Sequence, residues 1–513
     1  VSVLLAVLGL GGAVCANDPE WLRNPPASRE KTWILNESDA DPEFPGDSGG
    51  GSHQAELDDE PERAEGGDTT DRSADLAERL SKLEDAWEKF QNATADKADE
   101  AAQRPTVEIG GRIHVDHWAF PQASDGIGFF EHPTAGSPHF GTDPEDRFDF
   151  RRIRLEMNGD ILESMLWVMQ IDFATADDPT LKDVYLGFRD LPCNQQLLIG
   201  IHKRPLGLDH LNSSRFNVFL ERPLVVEAFN EDARRLGMSL QGVTEDKVFN
   251  WTYGVFNLEN TTLDGVYLGD DLQLSANARV ASTPWYDVPS QGRCYFHWAI
   301  AGMLAHPDGD VNPSNQRVSN SNEARFRTRP EARSSNRWLD TRAIPGARWY
   351  EVLALESVWN LGAFQLTGEV QSSWVQRDDR TPGTGQDLFL HGGYLYASYN
   401  LTGEHIPMNR TDGTIDRLVP FENFCLVDRC QGHSGHGWGA WQVGMRYSYL
   451  NLTSHEIRGG VEHNWTFALN WFWTAHSKLQ FNAVYGMIDD HFPVNGYTDG
   501  EFWGLGTRFA VDF

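Results

Sequence analysis

From Thr106 to Phe513 the chain alternates apolar and polar residues with period two, in segments of about 9–14 residues. In TVEIGGRIHVDHWAF, Val107, Ile109, Ile113 and Val115 share one face, and Glu108, Arg112, His114 and Asp116 share the other. RRIRLEMNGD sets Ile153, Leu155 and Met157 against Arg152, Arg154, Glu156 and Asn158. AWQVGMRYSYLNL sets Trp441, Val443, Met445 and Tyr447 against Gln442, Gly444, Arg446 and Ser448. Soluble strands are shorter, and a β-sandwich hides its apolar face inside protein. Here charge after charge lies on one face of long strands. That pattern fits tilted strands with lipid outside and water inside. Aromatics sit towards strand ends, at Trp285–Tyr286, Trp374 and Phe502–Trp503, as interfacial girdles do.

Counting such segments gives about seventeen, whereas single-chain bacterial barrels normally have even numbers. The tight links 360–363 and 474–477 should lie on the periplasmic side if the C-terminus does, but counting forward from Val107 places them opposite. The clash begins after about residue 258, and EARFRTRPEAR (323–333) is the segment best reassigned to a loop. The expectation is an all-β fold, a transmembrane antiparallel β-barrel of about sixteen strands over 104–513, with a short N-terminal coiled-coil helix. The closing strand GLGTRFAVDF (504–513) should turn Leu505, Phe509, Val511 and Phe513 to lipid and Arg508 and Asp512 to the lumen. It should pair with the first strand near Val107–Val115.

The apolar stretch Val1–Val14 has the length of a secretory h-region, and Val14-Cys15-Ala16 offers small residues for cleavage, so 1–16 reads as a signal peptide. Lipidation of Cys15 is the alternative, although Val14 is a poor neighbour for it. Residues 17–72 are rich in Gly, Pro, Asp and Glu and read as an acidic disordered linker. Over 73–103 the period changes. Leu76, Leu80, Leu83, Trp87 and Phe90 step by four and three, an a/d seam that Asp71 or Ser73 can cap. Self-association of this helix is the expectation, and packing on its own domain the alternative. The formal charge of −32 argues against a nucleic-acid partner, which needs clustered Lys and Arg.

Cys425 and Cys430 lie close in a loop-like stretch, which in an exported protein reads as a local disulfide. A metal pair with His433 and His436 is the alternative. Cys193 and Cys294 have no evident partner. Asp308, Asp310 and Asn312 are spaced like the start of a calcium loop, but the sharp-turn Gly and distal Glu are missing. No HExxH, nucleophile elbow or phosphate loop occurs, so neither cofactor nor catalysis is expected.

Several stretches, in order, resemble the phosphate-selective porin O/P family: FDFRRIRLEMNGD (148–160), LLIGIHKRPLGLDHLNSSRFNVFLERPL (197–224), RFRTRPEAR (325–333), ASYNLTGEH (397–405), MRYSYLNL (445–452) and ALNWFW (468–473). The resemblance implies a sixteen-stranded, homotrimeric outer-membrane barrel that passes small anions, with the loop after GIHKRP folded into the lumen. It also implies anion contact at Lys203 and Arg215, with Arg151, Arg152 and Arg154 facing them. Arg325, Arg327 and Arg329 resemble a ladder leading inward. Guanidinium forks suit phosphate or carboxylate oxygens, and a cationic ring makes an anion filter if release stays easy. Lysine departs from the family pattern: the barrel region holds only Lys182, Lys203, Lys247 and Lys478, where selective members carry many. A weakly selective porin and an envelope-tethering barrel are the alternative functions.

Overall fold

The computed structural model describes residues 81–82, 84–85, 87–89, 105–175, 179–230, 233–259, 273–307, 324–378, 385–425, 427–429 and 433–513. Residues 16–103 form a unit of their own. Within it, 81–82, 84–85 and 87–89 are helical and exposed. The expected signal peptide, the acidic linker and the residues Asp308, Asp310 and Asn312 lie outside the described residues, as does Cys430.

Sixteen antiparallel strands close into a barrel. They are β1 (Glu108–Ala123), β2 (Arg147–Leu162), β3 (Met165–Asp172), β4 (Thr180–Leu191), β5 (Gln195–Lys203), β6 (Arg234–Val243), β7 (Phe249–Asn257) and β8 (Leu274–Tyr286). Then follow β9 (Cys294–Ala305), β10 (Ala347–Leu361), β11 (Phe364–Arg377), β12 (Leu388–Asn400), β13 (Ala440–Ser454), β14 (Ile457–Thr474), β15 (Ser477–His491) and β16 (Gly500–Asp512). The seam joins β16 to β1, with Asp512 opposite Arg112, Phe509 opposite Val115 and Arg508 opposite Asp116. Closure pairs both edges of the sheet, which the hydrocarbon layer demands because it offers backbone groups no partner.

The period-two reading of the faces holds. Along β16 Trp503, Leu505 and Phe509 are exposed on the outer wall, whereas Phe502, Gly504, Gly506, Arg508 and Ala510 are buried. Along β14 Trp465 and Phe467 point outward, and Glu462, Asn464, Thr466 and Asn470 inward. Aromatic groups band both rims. Trp441 stacks on Trp471 at 5.0 Å and Phe509 meets Trp473 at 5.4 Å near one end, while Tyr485 meets Trp503 at 5.0 Å towards the other.

The strand count resolves as expected: 324–333 is no barrel strand. Only Arg327–Thr328 pairs there, with Leu339–Asp340. The links 362–363 and 475–476 then fall on the short-turn, periplasmic side.

The lumen corrects one expectation. Its wall is polar, but it is filled with folded chain rather than water alone. Among the described residues, three segments enter it. Residues 204–233, between β5 and β6, carry helices α2 (Leu208–Leu211) and α3 (Leu224–Phe229), and bury Leu206, Leu208, Phe219, Leu220, Leu224 and Phe229. Residues 324–346 enter from the same rim and bury Phe326, Trp338 and Ile344. From the periplasmic rim, the β12–β13 connection (401–439) sends in residues that bury Ile406, Met408, Ile415 and Leu418. A sixteen-strand circumference encloses more space than wall side chains can fill, so inserted chain must pack it or leave a wide pore. At Gly207 (φ 83) any Cβ would collide with the Glu369 carboxylate, so the turn into α2 requires glycine.

The expected Cys425–Cys430 disulfide is also corrected: Cys425 is a free, exposed thiol. The Phe424 N–H donates to Trp473 O (2.7 Å), which pins this stretch to the end of β14, and Cys425 turns outward at φ 76. Cys294 is free, and Cys193 is disulfide-bonded.

Candidate pore constriction

The β1, β2 and β16 wall places Arg112, Arg151, Arg152, Arg154 and Arg508 on one side of the lumen, facing the 204–233 loop. Arg151 holds Glu221 through two hydrogen bonds of 2.7 and 2.9 Å. Arg508 donates to both Asp116 oxygens (2.7 and 2.6 Å), to Leu220 O (2.6 Å) and to Glu221 (3.0 Å). The loop tip is thereby latched to the closing seam. Across the lumen stand Tyr394, Tyr396, Glu356 and Glu369, all buried.

The residues expected to contact anions separate into two groups. Lys203 spends two N–H donors on loop carbonyls, Leu211 O (2.7 Å) and Asn212 O (3.0 Å). Arg154 pairs with Asp172 at 2.7 Å, and Arg329 with Glu227 at 3.1 Å. Arg325 is paired with Asp340. Arg325, Arg327 and Arg329 share the less buried face of their segment, while Phe326 and Thr328 point into packing. Lys203, Arg154, Arg325 and Arg329 therefore have carboxylates or carbonyls as first partners. Arg215 is looser, 3.4 Å from Glu156 and 3.6 Å from Asp512.

Arg152 differs. It is buried, lies 3.3 Å from His114 Nδ1, and makes no salt bridge among the described residues. Lys478, also buried, donates to Asn217 O at 3.0 Å and likewise has no carboxylate partner there. Its role follows from its inward place on β15, a period-two signal that a single lysine in the sequence hardly raises. Arg446, buried against Glu331 at 2.6 Å, is a further inward group that only the fold connects to the inserted 324–346 segment.

Two cavities flank the loop. One near the periplasmic rim is lined by His114, Arg215, Phe216, Arg417, Lys478 and Asp512, among others. Another is lined by Asp209, Asn212, Phe216, Glu221, Tyr396 and Arg446, among others. Phe216 is common to both, with the Arg417 guanidinium 5.3 Å above its ring.

The Glu221 latch has a pH signature. Burial would raise this carboxyl, but Arg151, the hydrogen bond from it, Arg508 and Arg152 hold it well below the ordinary carboxylate range. A depressed folded-state pKa contributes stability that is complete above the unfolded value and lost as pH falls through the folded one. The tip should stay clamped from neutral pH to below about pH 4. Amide exchange at 219–222, corrected for intrinsic rates, reads this directly. Release already at about pH 5–6 would contradict it.

A closed sixteen-stranded barrel with a polar lumen, aromatic rims and an inward-folded constriction defines an outer-membrane porin. Residues 138–510 match the family described as phosphate-selective porin O and P, and the chain belongs to that family. It is a bacterial outer-membrane protein that crosses the bilayer with its strands. An uncharacterized protein of Caulobacter vibrioides is 25% identical over 371 residues, covering 71% of this chain and 68% of the relative. Among solved structures, the trimer form of Vibrio cholerae OmpT is 8% identical with a TM-score of 0.44, covering 79% of this chain and 99% of that one. The outer-membrane channel DcaP of Acinetobacter baumannii is 9% identical with a TM-score of 0.44, covering 80% and 98%.

Proposed function

We propose that this porin is a passive diffusion channel for small hydrophilic solutes, biased towards anions such as phosphate. The observation that carries the reading is the pair of buried cations, Arg152 and Lys478, that have no salt-bridge partner among the described residues. An ionised group out of water needs a counter-charge, and a passing anion supplies it. Arg215 and Arg417 add charge around the cavity that Lys478 lines. The family description points the same way. Weak selectivity is the second reading, favoured by the carboxylates already paired with Arg112, Arg151, Arg154 and Arg215.

Single-channel recording in a KCl gradient tests the proposal. The wild type should give an anion-selective reversal potential, with chloride current blocked by added phosphate. The Arg152→Ala, Lys478→Ala double variant should move the reversal potential towards the cation side and lose the block. Cation selectivity in the wild type would sink the reading. The homotrimer is part of this proposal, and the same traces report it as three equal closing steps.

A further inference from the structure

On the extracellular rim, the connection between β1 and β2 folds back on itself. It carries helix α1 (Asp125–Glu131). At its end the His132 N–H donates to Gly128 O (2.9 Å), and the Gly141 N–H donates to His132 O (3.2 Å). Thr142 donates to His139 O from both its N–H (3.0 Å) and its hydroxyl (2.8 Å). The ring of Phe129 packs on Phe140 at 5.1 Å and on Tyr497 at 5.0 Å, which holds the fold-back on the rim.

The result is a convergence of metal-ligating side chains that are separate in sequence. His132 Nε2 lies 3.2 Å from Glu145 Oε1, and His139 Nδ1 lies 3.8 Å from the same oxygen. The two imidazole centroids are 5.7 Å apart. His132 Nε2 is buried yet forms no hydrogen bond, although the carboxylate is close. The ligand atoms of Glu131, His132 and Glu145 all lie within 4.8 Å of one another, and His139 meets this group through Glu145. The Glu131 carboxylate also accepts from Ser335 N (2.6 Å), Asn336 N (3.1 Å) and Trp338 Nε1 (2.7 Å), so it anchors the inserted 324–346 segment.

We propose that His132, His139 and Glu145 bind one divalent transition-metal ion, with Glu131 as a neighbouring carboxylate. Two imidazoles and a carboxylate suit a borderline cation of the zinc type, whereas calcium and magnesium take oxygen ligands. The ion would brace the rim beside the anchor of the inserted segment. It would replace a carboxylate facing an unbonded ring nitrogen with two coordination bonds.

The test uses the whole protein in detergent, stripped with a chelator and titrated with zinc chloride. Because the chain has 17 histidines, the reading is the difference between wild type and a His132→Ala, His139→Ala variant. The wild type should retain one more zinc per chain after gel filtration. Glu145→Gln, a change of similar shape at a side chain 49% exposed, should weaken that zinc about tenfold or more without disturbing the fold. Excess magnesium should not displace it. Equal zinc in wild type and double variant, no zinc in either, or an unchanged affinity in Glu145→Gln would each overturn the proposal.

Discussion

Replacing residues 404–418 by a short Gly-Ser turn should raise single-channel conductance severalfold and leave the barrel folded. Asn400 and Gln442 already face each other across the β12–β13 ladder, so the two strands stay paired without the insert. The inserted residues block the lumen through contacts the wall does not need. Tyr295 donates to Ile406 O (3.1 Å), Arg279 to Gly413 O (2.8 Å), and Ile415 N–H to Asn212 Oδ1 (2.9 Å). The last of these couples the periplasmic insert to the 204–233 loop. Arg279 keeps its Glu356 partner when the insert is gone, so no buried charge is stranded on the wall. Arg417, which pairs with Asp512 at 2.5 Å, leaves with the insert, and Asp512 keeps Arg215 at 3.6 Å. Unchanged conductance would mean that the solute path runs elsewhere.

Arg508→Ala should cost about 3–5 kcal/mol of barrel stability, since it strands a buried carboxylate. Asp116 and Arg508 are both fully buried and stand opposite each other across the seam that closes the barrel. The same guanidinium holds Leu220 O and Glu221 at the loop tip. Replacing both partners by apolar residues, in Asp116→Leu, Arg508→Met, should recover most of the loss, because no orphaned charge remains. Denaturant unfolding in lipid vesicles measures both. A single-variant loss below about 1 kcal/mol would show that water reaches Asp116 and the latch is not dry.

The barrel was legible because membrane strands obey a local rule. Each residue's face follows from its parity, and lipid on one side makes the parity visible, as in Trp465, Thr466 and Phe467. The sixteen-strand count followed once 323–333 was set aside, since short turns must fall on one side. The constriction was legible only as a set of candidates. Arg151, Arg152 and Arg154 lie within three residues of one another, yet one holds Glu221, one holds Asp172 and one has no carboxylate partner among the described residues. Nothing local separates them. The local reading also favoured a Cys425–Cys430 bridge, and spacing alone could not foresee that Cys425 would be pinned outward at the end of β14.

The sequence by itself determined which face of each strand meets lipid and how many strands close the sheet. These depend on periodicity and turn length, which are properties of neighbouring residues. The tertiary structure alone decided what fills the lumen, and therefore which cations keep their charge for a solute. Asp512 meets Arg417, Glu331 meets Arg446 and Glu221 meets Arg508 across separations of 95, 115 and 287 residues. Electrostatic partners are chosen by distance in space, and in a barrel packed with inserted chain that distance is not set by any local pattern.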